Sequence, residues 1–390
     1  MSSIYPFLFP KVKGIFISRI NRFLAQVEID GKKTFAYLPN SGKLKEILLP
    51  NSKILLVQSN RSKGIPYILI AGFKKDYPVL LHTHLTNEVV FNLIKNGKIP
   101  YFKGWSVEKR EPQILNFRLD FRLKNKKGEI LYLEVKTSTL FEDSIAMFPD
   151  ALTTRGRKHL YLLKELSREY KVCCLFVVMG QEPRIFLPAY HLDYKFYKTF
   201  MEVKKDVFLL ATSLTFDETF TEVVKVKDLV IPWKFLEEEV SDRGAYLLVV
   251  HLEKGQRICY GKGKERYFEE GFYVYVGSAM KNLQSRINRH HRKRKKYFWH
   301  IDYLLNKGKL LNSIPIRTKD DIECKLASAI KEISKTEVIG FGSTDCKCPS
   351  HLFYFSTNPL SLQQFQKCLL VFSLIYPHKN FISNYCEVIK

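Results

Sequence analysis

Two apolar segments joined by a polar turn, within residues 117–139, constrain the fold of this chain more than any other feature. The segments FRLDF and EILYLEVKTST have the composition of β-strands, and NKKG between them favours a turn. Alternate side chains of a strand share a face, so Glu134 and Lys136 point the same way. Pairing of the two strands would place Asp120 opposite them. Two carboxylates and one amine would then meet at one point.

This group of charges suits a divalent metal that activates water against a phosphodiester. Asp120 and Glu134 offer hard oxygen ligands to Mg²⁺ or Mn²⁺, and the backbone carbonyl of Val135 offers a third. Lys136 would orient the attacking water and stabilise developing negative charge. The alternative is an ordinary ion pair between Glu134 and Lys136 on a solvated sheet. The apolar residues on both strands favour the metal site, because polar groups embedded among them need a reason.

A helix predicted after the hairpin carries two more candidate residues. Thr153 and Thr154 suit its N-terminus, and its apolar pattern runs to about Tyr170. Arg155 and His159 lie four residues apart, so they share one face of that helix. We predict that this face approaches the scissile phosphate and binds nucleic acid.

Three domains are predicted, at residues 1–85, 86–236 and 241–390. The first contains five short β-type runs: GIFISRI, RFLAQVEI, KTFAYLP, KILLVQS and PYILIAGF. They predict a small barrel, with an oligonucleotide-binding-type (OB-like) barrel as the leading choice. Arg22 and Lys43 lie near its turns, where they either contact phosphates or are ordinary exposed side chains. The second domain has the order helix, strand, strand, helix, strand, which predicts an α/β fold with a mixed sheet.

The chain is strongly basic, with a net charge of +24. After residue 240 there are 25 basic and 13 acidic residues, a net +12, so both halves share the excess equally. DNA or RNA is therefore the expected partner, and the alternative is a solvated lysine-rich surface.

No apolar run approaches the ~18 residues needed to cross a bilayer, so no membrane partner is expected. The eight cysteines form no disulfide framework, which favours the reducing cytoplasm.

A second set of chemical groups lies after residue 240. The triplets GAY and YVG occur on two strands that are predicted to be neighbours. A basic helix follows them, and a later helix carries an acidic residue near its start. The residues concerned are Tyr246, Tyr275, Arg286, His290 and Glu323. A tyrosine or histidine can handle the proton of phosphodiester cleavage, arginine can hold the phosphate, and glutamate can hold a metal ion. The alternative is that the tyrosines are core aromatics of the strands.

The segment KNLQSRINRHHRKRKK, residues 281–296, contains eight lysines and arginines and no acid. Such a run repels itself, so we predict contact with the phosphate backbone rather than a merely solvated helix face. The residues expected to make it are Arg289, Arg292, Lys293 and Arg294.

A possible zinc motif, Cys346-x-Cys348-x2-His351, follows later in the chain. It shows three ligands, and Cys259 or Asp345 would have to complete it. A turn that packs the end of the domain is the favoured interpretation.

Two resemblances bear on these sites. RFLAQVEIDGKKTFAYLPNSGKLKEIL, RLDF, LEVKTSTL and FPDALTTRGRKHLYLLKEL resemble the sugar fermentation stimulation protein A (SfsA) family, over roughly residues 10–235. That family combines an OB-like barrel with a PD-(D/E)XK nuclease domain and is associated with DNA binding. The resemblance implies that Asp120, Glu134 and Lys136 are the nuclease signature. Leu119 stands where the superfamily name has proline.

The region of about residues 241–356 is similar to the GIY-YIG endonuclease superfamily, and to its archaeal branch of uncharacterised domains. The segments that carry this resemblance are GAYLLVVHL, GFYVYVGSA, RINRHHR, WHIDYLL and GFGSTDCKCPSHLFYF. It implies that Tyr246, Tyr275, Arg286, His290 and Glu323 form a catalytic set, with Glu323 as a metal ligand. GIY reads GAY here and YIG reads YVG, and both changes keep the tyrosines.

The sequence therefore predicts a cytoplasmic α/β multidomain protein that hydrolyses DNA or RNA with Mg²⁺ or Mn²⁺, with a homodimer possible. The alternative is a DNA-binding regulator that uses the same folds without catalysis. A sugar-metabolising enzyme is disfavoured because no dinucleotide-binding or P-loop motif is present.

Overall fold

The structure is a computed structural model that describes residues 10–59, 64–114, 116–217, 220–261 and 263–378. The predicted domain limits at residues 1 and 390 lie outside these ranges. The chain divides into two compact units, Met1–Pro232 and Trp233–Lys390. Within the described ranges, the helices are too short or too polar to cross a membrane.

The first unit is mixed α/β. Its strands are β1 Lys11–Asn21, β2 Leu24–Ile29, β3 Lys32–Tyr37, β4 Lys53–Gln58, β5 Tyr67–Lys74, β6 Tyr77–Leu80, β7 Trp105–Arg110, β8 Gln113–Ile114, β9 Phe117–Arg118, β10 Phe121–Asn125, β11 Ile130–Ser138, β12 Leu140–Glu142, β13 Ile145–Phe148, β14 Lys171–Val178, β15 Ile185–Pro188, β16 Phe208–Phe216 and β17 Val223–Asp228. Its helices are α1 Thr83–Lys95, α2 Thr154–Leu166 and α3 Tyr194–Val203.

The predicted five-stranded barrel is confirmed. Strands β1 to β5 pair in the order β3-β2-β1-β4-β5, and a parallel pairing of β3 with β5 closes the barrel. In β2, the residues Ala25, Val27 and Ile29 are buried and alternate with half-buried ones, as expected when one face of a strand lines a core. Strand β6 extends the barrel sheet beyond β5.

The predicted mixed sheet is also confirmed, with the order β17-β16-β14-β11-β10-β7. Strands β11, β14 and β16 are parallel neighbours, and the other pairs are antiparallel. Every residue of β14 from Val172 to Val178 is buried, which explains why VCCLFVV is continuously apolar. Strand β11 lies between β14 and β10 and is therefore an interior strand of this sheet.

The position of Asp120 and the end of α2 differ from the sequence prediction. Asp120 lies one residue before β10 rather than on the strand, because its carboxylate, and not its backbone, accepts the Val135 N–H at 2.7 Å. Helix α2 ends at Leu166 rather than at Tyr170. Ser167 follows it, and the Ser167 hydroxyl bonds the Lys164 carbonyl at 2.7 Å, a local hydrogen bond that competes with helix continuation.

The second unit is built on an antiparallel sheet. Its strands are β18 Gly244–Leu252, β19 Gln256–Tyr260, β20 Lys264–Phe268, β21 Gly271–Ala279, β22 Lys309–Arg317, β23 Thr336–Glu337 and β24 Leu352–Phe355. Its helices are α4 Trp233–Glu238, α5 Leu283–His291, α6 His300–Lys307, α7 Glu323–Ile333 and α8 Gln363–Leu370.

Alternation along β18 divides the core of this unit in two. The sheet order is β22-β18-β21-β24-β23, so β18 and β21 are neighbours as predicted. Tyr246 and Leu248 face one core with residues of α5 and α6. Leu247 and Val249 face the other core with residues of α7 and α8. The side chains of one strand thus serve both layers.

Strand β22 and the β19–β20 hairpin were not predicted. Pro315 lies in β22, and its presence argues against a strand in the sequence, because proline cannot donate a hydrogen bond within the middle of a sheet. The structure shows that β22 is an edge strand, a position in which proline is tolerated.

Candidate active sites

The hairpin of β10 and β11 positions Asp120 next to Glu134. The ladder begins with Phe121 opposite Leu133, so the next residues outward, Asp120 and Glu134, come together. Asp120 Oδ2 accepts the Val135 N–H at 2.7 Å, and Oδ1 accepts the Asn87 side-chain amide at 2.6 Å. Asn87 belongs to α1 and was not predicted. Its contact with Asp120 orients the carboxylate from a second element.

Glu134 lies at the centre of a buried charge cluster. Its Oε1 accepts the Lys136 ammonium at 2.5 Å and also contacts the His159 ring. Lys136 Nζ lies 3.3 Å from His159 Nδ1. The glutamate is only 3% exposed, and its Oε2 has no hydrogen-bond partner among the described residues. One oxygen of Glu134 therefore contacts two basic side chains, and the other oxygen is buried without a hydrogen bond.

The two carboxylates differ in their electrostatics. Burial, reinforced by the nearby charge of Glu134, raises the pKa of Asp120 to about 6. Burial also opposes ionisation of Glu134, but the Lys136 ammonium and the His159 ring outweigh it and lower the pKa of that carboxyl. Near neutral pH both groups are ionised, with the charge on Asp120 only partly compensated. The site therefore favours an added cation.

The residues present fit a hard divalent cation. Each Asp120 oxygen already accepts one hydrogen bond and keeps a further lone pair, and Glu134 Oε2 has no hydrogen bond to lose. Val135 donates its N–H to Asp120, and its carbonyl stays a predicted ligand. Lys136 lies beside the pair, as predicted from the strand alternation.

Arg155 and His159 play different parts. Arg155 is exposed, and its Nε lies 3.3 Å from His159 Nε2, so the two residues share a helix face as predicted. His159 is only 4% exposed and contacts Glu134. It therefore supports the carboxylate cluster from within, and its contact with nucleic acid stays a prediction.

The second unit assembles its own cluster around Tyr246. The Tyr246 hydroxyl lies 2.9 Å from His290 Nε2, and His290 Nδ1 faces Asp302 Oδ1 at 3.7 Å. The ring centres of Tyr246 and Tyr275 are 6.3 Å apart. A Cβ added at Gly277 would lie 2.7 Å from the Tyr246 ring, which explains the glycine in the second triplet.

Ser278 connects the remaining predicted residues. The Ser278 hydroxyl donates to Glu323 Oε2, and its carbonyl accepts Arg286 Nη1 at 3.3 Å. Glu323 Oε1 lies 3.0 Å from His351 Nδ1. The structure thus brings all five predicted residues of the second unit to one region of the sheet. Ser278 and His351 are contacts that the triplet motifs did not indicate.

Burial sets the protonation states in this cluster. It raises the pKa values of both Tyr246 and Tyr275, so each hydroxyl keeps its proton at neutral pH. Burial also lowers the pKa of His290, which favours the neutral ring. A neutral ring with its proton on Nδ1, toward Asp302, leaves Nε2 free to accept the hydroxyl of Tyr246. Asp302 was not predicted, although an acid inside the apolar run WHIDYLL was a signal.

Comparisons with known proteins give the family. Family models match residues 17–81 (SfsA N-terminal OB domain) and 84–220 (sugar fermentation stimulation protein RE domain). A sugar fermentation stimulation protein homolog of Clostridium kluyveri is 37% identical over 197 residues, which are 50% of this chain and 86% of that protein. This chain belongs to the SfsA family. A homolog from Caldanaerobacter subterraneus subsp. tengcongensis is 39% identical over 189 residues, 48% of this chain and 82% of that protein.

Two further comparisons extend this result. A solved structure, described as Pyrococcus furiosus SfsA in complex with Ca²⁺, matches with a TM-score of 0.55 and 24% identity, over 59% of this chain and 99% of that chain. This likeness supports the fold of the SfsA part. Residues 245–373 match the family model "Domain of unknown function DUF123", a GIY-YIG-like domain as predicted.

In the barrel of this SfsA-family protein, Arg19 connects the two turns that carry the predicted phosphate-binding residues. The Arg19 guanidinium donates to the carbonyls of Arg22 at 2.6 Å and Lys43 at 3.2 Å. Both predicted phosphate-binding residues are exposed, and Arg19 holds their backbones close together. Arg19 was not predicted, because its role depends on a contact between separate turns.

The basic segment of the second unit has one structural arginine and several exposed ones. Arg289 pairs with Asp302 at 2.9 and 3.0 Å and lies over the Trp299 ring, so these contacts give it a structural role. Arg292, Lys293 and Arg294 are exposed. Arg292 and Arg294 line a cleft with Arg286 and with Phe298, which is 77% exposed. Bases and phosphates can both be accommodated on such a surface.

Proposed function

We propose that this SfsA-family protein is a metal-dependent nuclease that hydrolyses phosphodiester bonds of DNA or RNA. The observation that carries the proposal is the buried carboxylate pair of Asp120 and Glu134, with the open Oε2 of Glu134 and with Lys136 alongside. A surface that only binds nucleic acid gains nothing from two carboxylates, because they repel phosphate. The pair is useful only if a cation neutralises it.

Each residue of the hairpin site has a role in this reaction. Bound Mg²⁺ or Mn²⁺ would supply Lewis-acid stabilisation and a water of lowered pKa. Asp120 and Glu134 would hold the ion, and Asn87 orients Asp120. Lys136 orients the attacking water and stabilises negative charge on the phosphate, while His159 fixes Glu134 from the opposite side. The Ca²⁺ in the description of the solved relative is a cation of the same hard class.

The same reaction class is proposed for the second unit. Tyr246 would handle the proton of the nucleophile and pass its own proton to His290, whose Nε2 lies 2.9 Å from the Tyr246 hydroxyl. Arg286 holds the phosphate, and Glu323 holds a divalent cation. The cleft lined by Arg292 and Arg294 leads nucleic acid toward Arg286.

A cleavage assay tests both sites in the full chain. Single- and double-stranded DNA and RNA are incubated with Mg²⁺ or Mn²⁺ and with wild type, Glu134→Gln, Tyr246→Phe or the double variant. We expect cleavage by wild type and a loss of about a hundredfold or more at whichever site is altered, the order seen when charge stabilisation is removed. Glu129→Gln is the matched control, because Glu129 lies at the turn of the same hairpin and pairs with Lys171 on the surface.

The outcomes separate the enzyme from a regulator. Metal-dependent cleavage that persists in the double variant contradicts both assignments. Salt-sensitive binding without cleavage of any substrate supports the non-catalytic DNA-binding alternative and rejects the nuclease.

A further inference from the structure

Three cysteines and one histidine of the second unit meet at one point that the proposed nuclease chemistry does not use. Cys324 lies at the start of α7, Cys346 and Cys348 lie in the segment before β24, and His351 directly precedes that strand. The ligand atoms of these four residues all lie within 4.8 Å of one another. We propose that they bind one zinc ion.

The sequence motif alone left this site incomplete. Cys346, Cys348 and His351 were candidate ligands with Cys259 or Asp345 as a candidate fourth, and a packing turn was the favoured interpretation. The structure supplies Cys324 instead. Cys259 lies on the β19–β20 hairpin, where its thiol faces Glu265 at 3.8 Å. The fourth residue could not be read from the motif, because it comes from a helix that precedes the motif in the chain.

The distances suit a tetrahedral ion. Zn–S bonds of about 2.3 Å and Zn–N bonds of about 2.1 Å place the ligand atoms of a tetrahedral site roughly 3.5–4 Å apart. Cys346 Sγ and His351 Nε2 are 3.4 Å apart, and the whole group is within 4.8 Å. Binding therefore requires only small side-chain movements. Three thiolates and one imidazole are also a ligand set that structural zinc sites use.

The surroundings of His351 fix it as a ligand. Its Nδ1 lies 3.0 Å from Glu323 Oε1, which leaves Nε2 directed at Cys346. A carboxylate on the far nitrogen is the usual partner of a zinc-binding histidine, because it sets the tautomer and the ring orientation. His351 is only 1% exposed, and its backbone bonds Val276 and Phe341 at 2.9 Å each. The ring is therefore held in place before any ion binds.

A zinc ion at this site would connect an irregular segment of the second unit to helix α7. Between Glu337 and Leu352 the described residues form turns and bends without a helix or a strand. A zinc ion would connect this segment to α7 through Cys324. It would also hold Glu323 through His351, so the ion positions Glu323 without taking part in the reaction. Zinc binding itself does not depend on the proposed nuclease function.

Zinc content of the full chain, purified with reductant and without added metal, tests the proposal. We expect about one zinc per chain by elemental analysis, and a tetrahedral thiolate spectrum when cobalt(II) replaces zinc. Cys324→Ser should lower the zinc content about tenfold or more, since one ligand is lost. Cys324 is exposed, so its replacement leaves the hydrophobic core intact. Cys259→Ser, at another exposed cysteine of the same unit, should keep its zinc.

The opposite results are equally clear. Reduced protein without zinc, or a disulfide between two of the four positions, rejects the site. An octahedral cobalt spectrum, or equal zinc content in Cys324→Ser and wild type, also rejects it. Tyr246→Phe should keep its zinc whatever its activity, so failure of the nuclease proposal and failure of the zinc proposal can be told apart.

Discussion

At the scale of single residues, the protonation of Asp120 should control metal binding. The pKa of this carboxyl is raised to about 6 by burial and by the charge of Glu134. Below that pH a proton occupies the carboxylate and competes with the cation, and above it the competition ends. We expect the Kd of Mn²⁺, measured by calorimetry, to rise about tenfold per pH unit below about pH 6 and to be flat above it.

Asn87→Ala provides the matched comparison for this titration. The Asn87 amide bonds Asp120 at 2.6 Å and favours its ionised form. Its removal should shift the break in the pH profile upward, whereas Glu129→Gln should leave the break unchanged. A Kd that does not vary between about pH 5 and pH 8 would rule out Asp120 as the controlling ligand.

A second buried carboxyl should make the stability of the first unit depend on pH. Burial, together with the nearby charge of Asp150, raises the pKa of Glu46 to about 7. The folded state then binds the Glu46 proton more tightly than the unfolded chain does. Stability that is full below the unfolded pKa, near 4.5, is therefore lost as pH rises toward 7.

Glu46→Gln removes this titration and keeps the shape of the side chain. We expect the variant and wild type to be similarly stable near pH 4.5 and the variant to be more stable than wild type by about 3 kcal/mol at about pH 8. Urea unfolding at several pH values measures the difference. Equal stability at both ends of this pH range would mean that Glu46 ionises freely in the folded protein.

At the scale of secondary-structure elements, Asp193 joins two helices of the first unit. It is 1% exposed and caps α3 by accepting the Phe196 N–H at 2.9 Å. It also accepts the Thr153 N–H at 2.9 Å and pairs with Arg157, both at the start of α2. Because α2 carries His159, this one carboxylate supports the helix that backs Glu134.

Asp193→Ala should therefore destabilise the unit by about 3 kcal/mol, since it removes a cap and leaves buried donors unpaired. Thermal unfolding followed by calorimetry measures the loss. Asp193→Asn keeps an acceptor and should lose less, and Asp206→Ala, at an exposed position beyond α3, should lose little. A small effect of Asp193→Ala would show that packing alone holds the two helices.

The local parts of both sites were predictable, and the long-range parts were not. Strand alternation placed Glu134 and Lys136 together, and helical spacing placed Arg155 with His159. Asn87 is 33 residues from Asp120, and Asp193 is 40 residues from Thr153, so no spacing rule connects either pair. Such contacts exist only once the sheet order is fixed. The same holds for Cys324, which joins the zinc motif from an earlier helix.

At the scale of the whole molecule, charge is distributed over both units. Residues 1–240 and 241–390 each carry a net +12. Each unit contains a buried acidic or tyrosine-based site, and exposed basic residues occur in both units. In the proposed function, the positive charge would attract nucleic acid to both units, and the few buried acids would determine where a cation binds. Long-range attraction and local chemistry therefore rest on different residues, which can be altered separately.

The exposed arginines of the segment 292–294 should account for part of the salt dependence of nucleic-acid binding. Each phosphate contact contributes about 0.9 to the slope of log K against log salt for duplex DNA. We expect Arg292→Gln/Arg294→Gln to lower that slope by about 2 and to weaken binding to all sequences alike. Lys331→Gln/Lys335→Gln removes the same number of charges around the end of α7, where Lys331 already pairs with Glu337 at 2.9 Å, and should change the slope less. Equal effects of the two double variants in a fluorescence titration would mean that net charge, and not the basic cleft, attracts the nucleic acid.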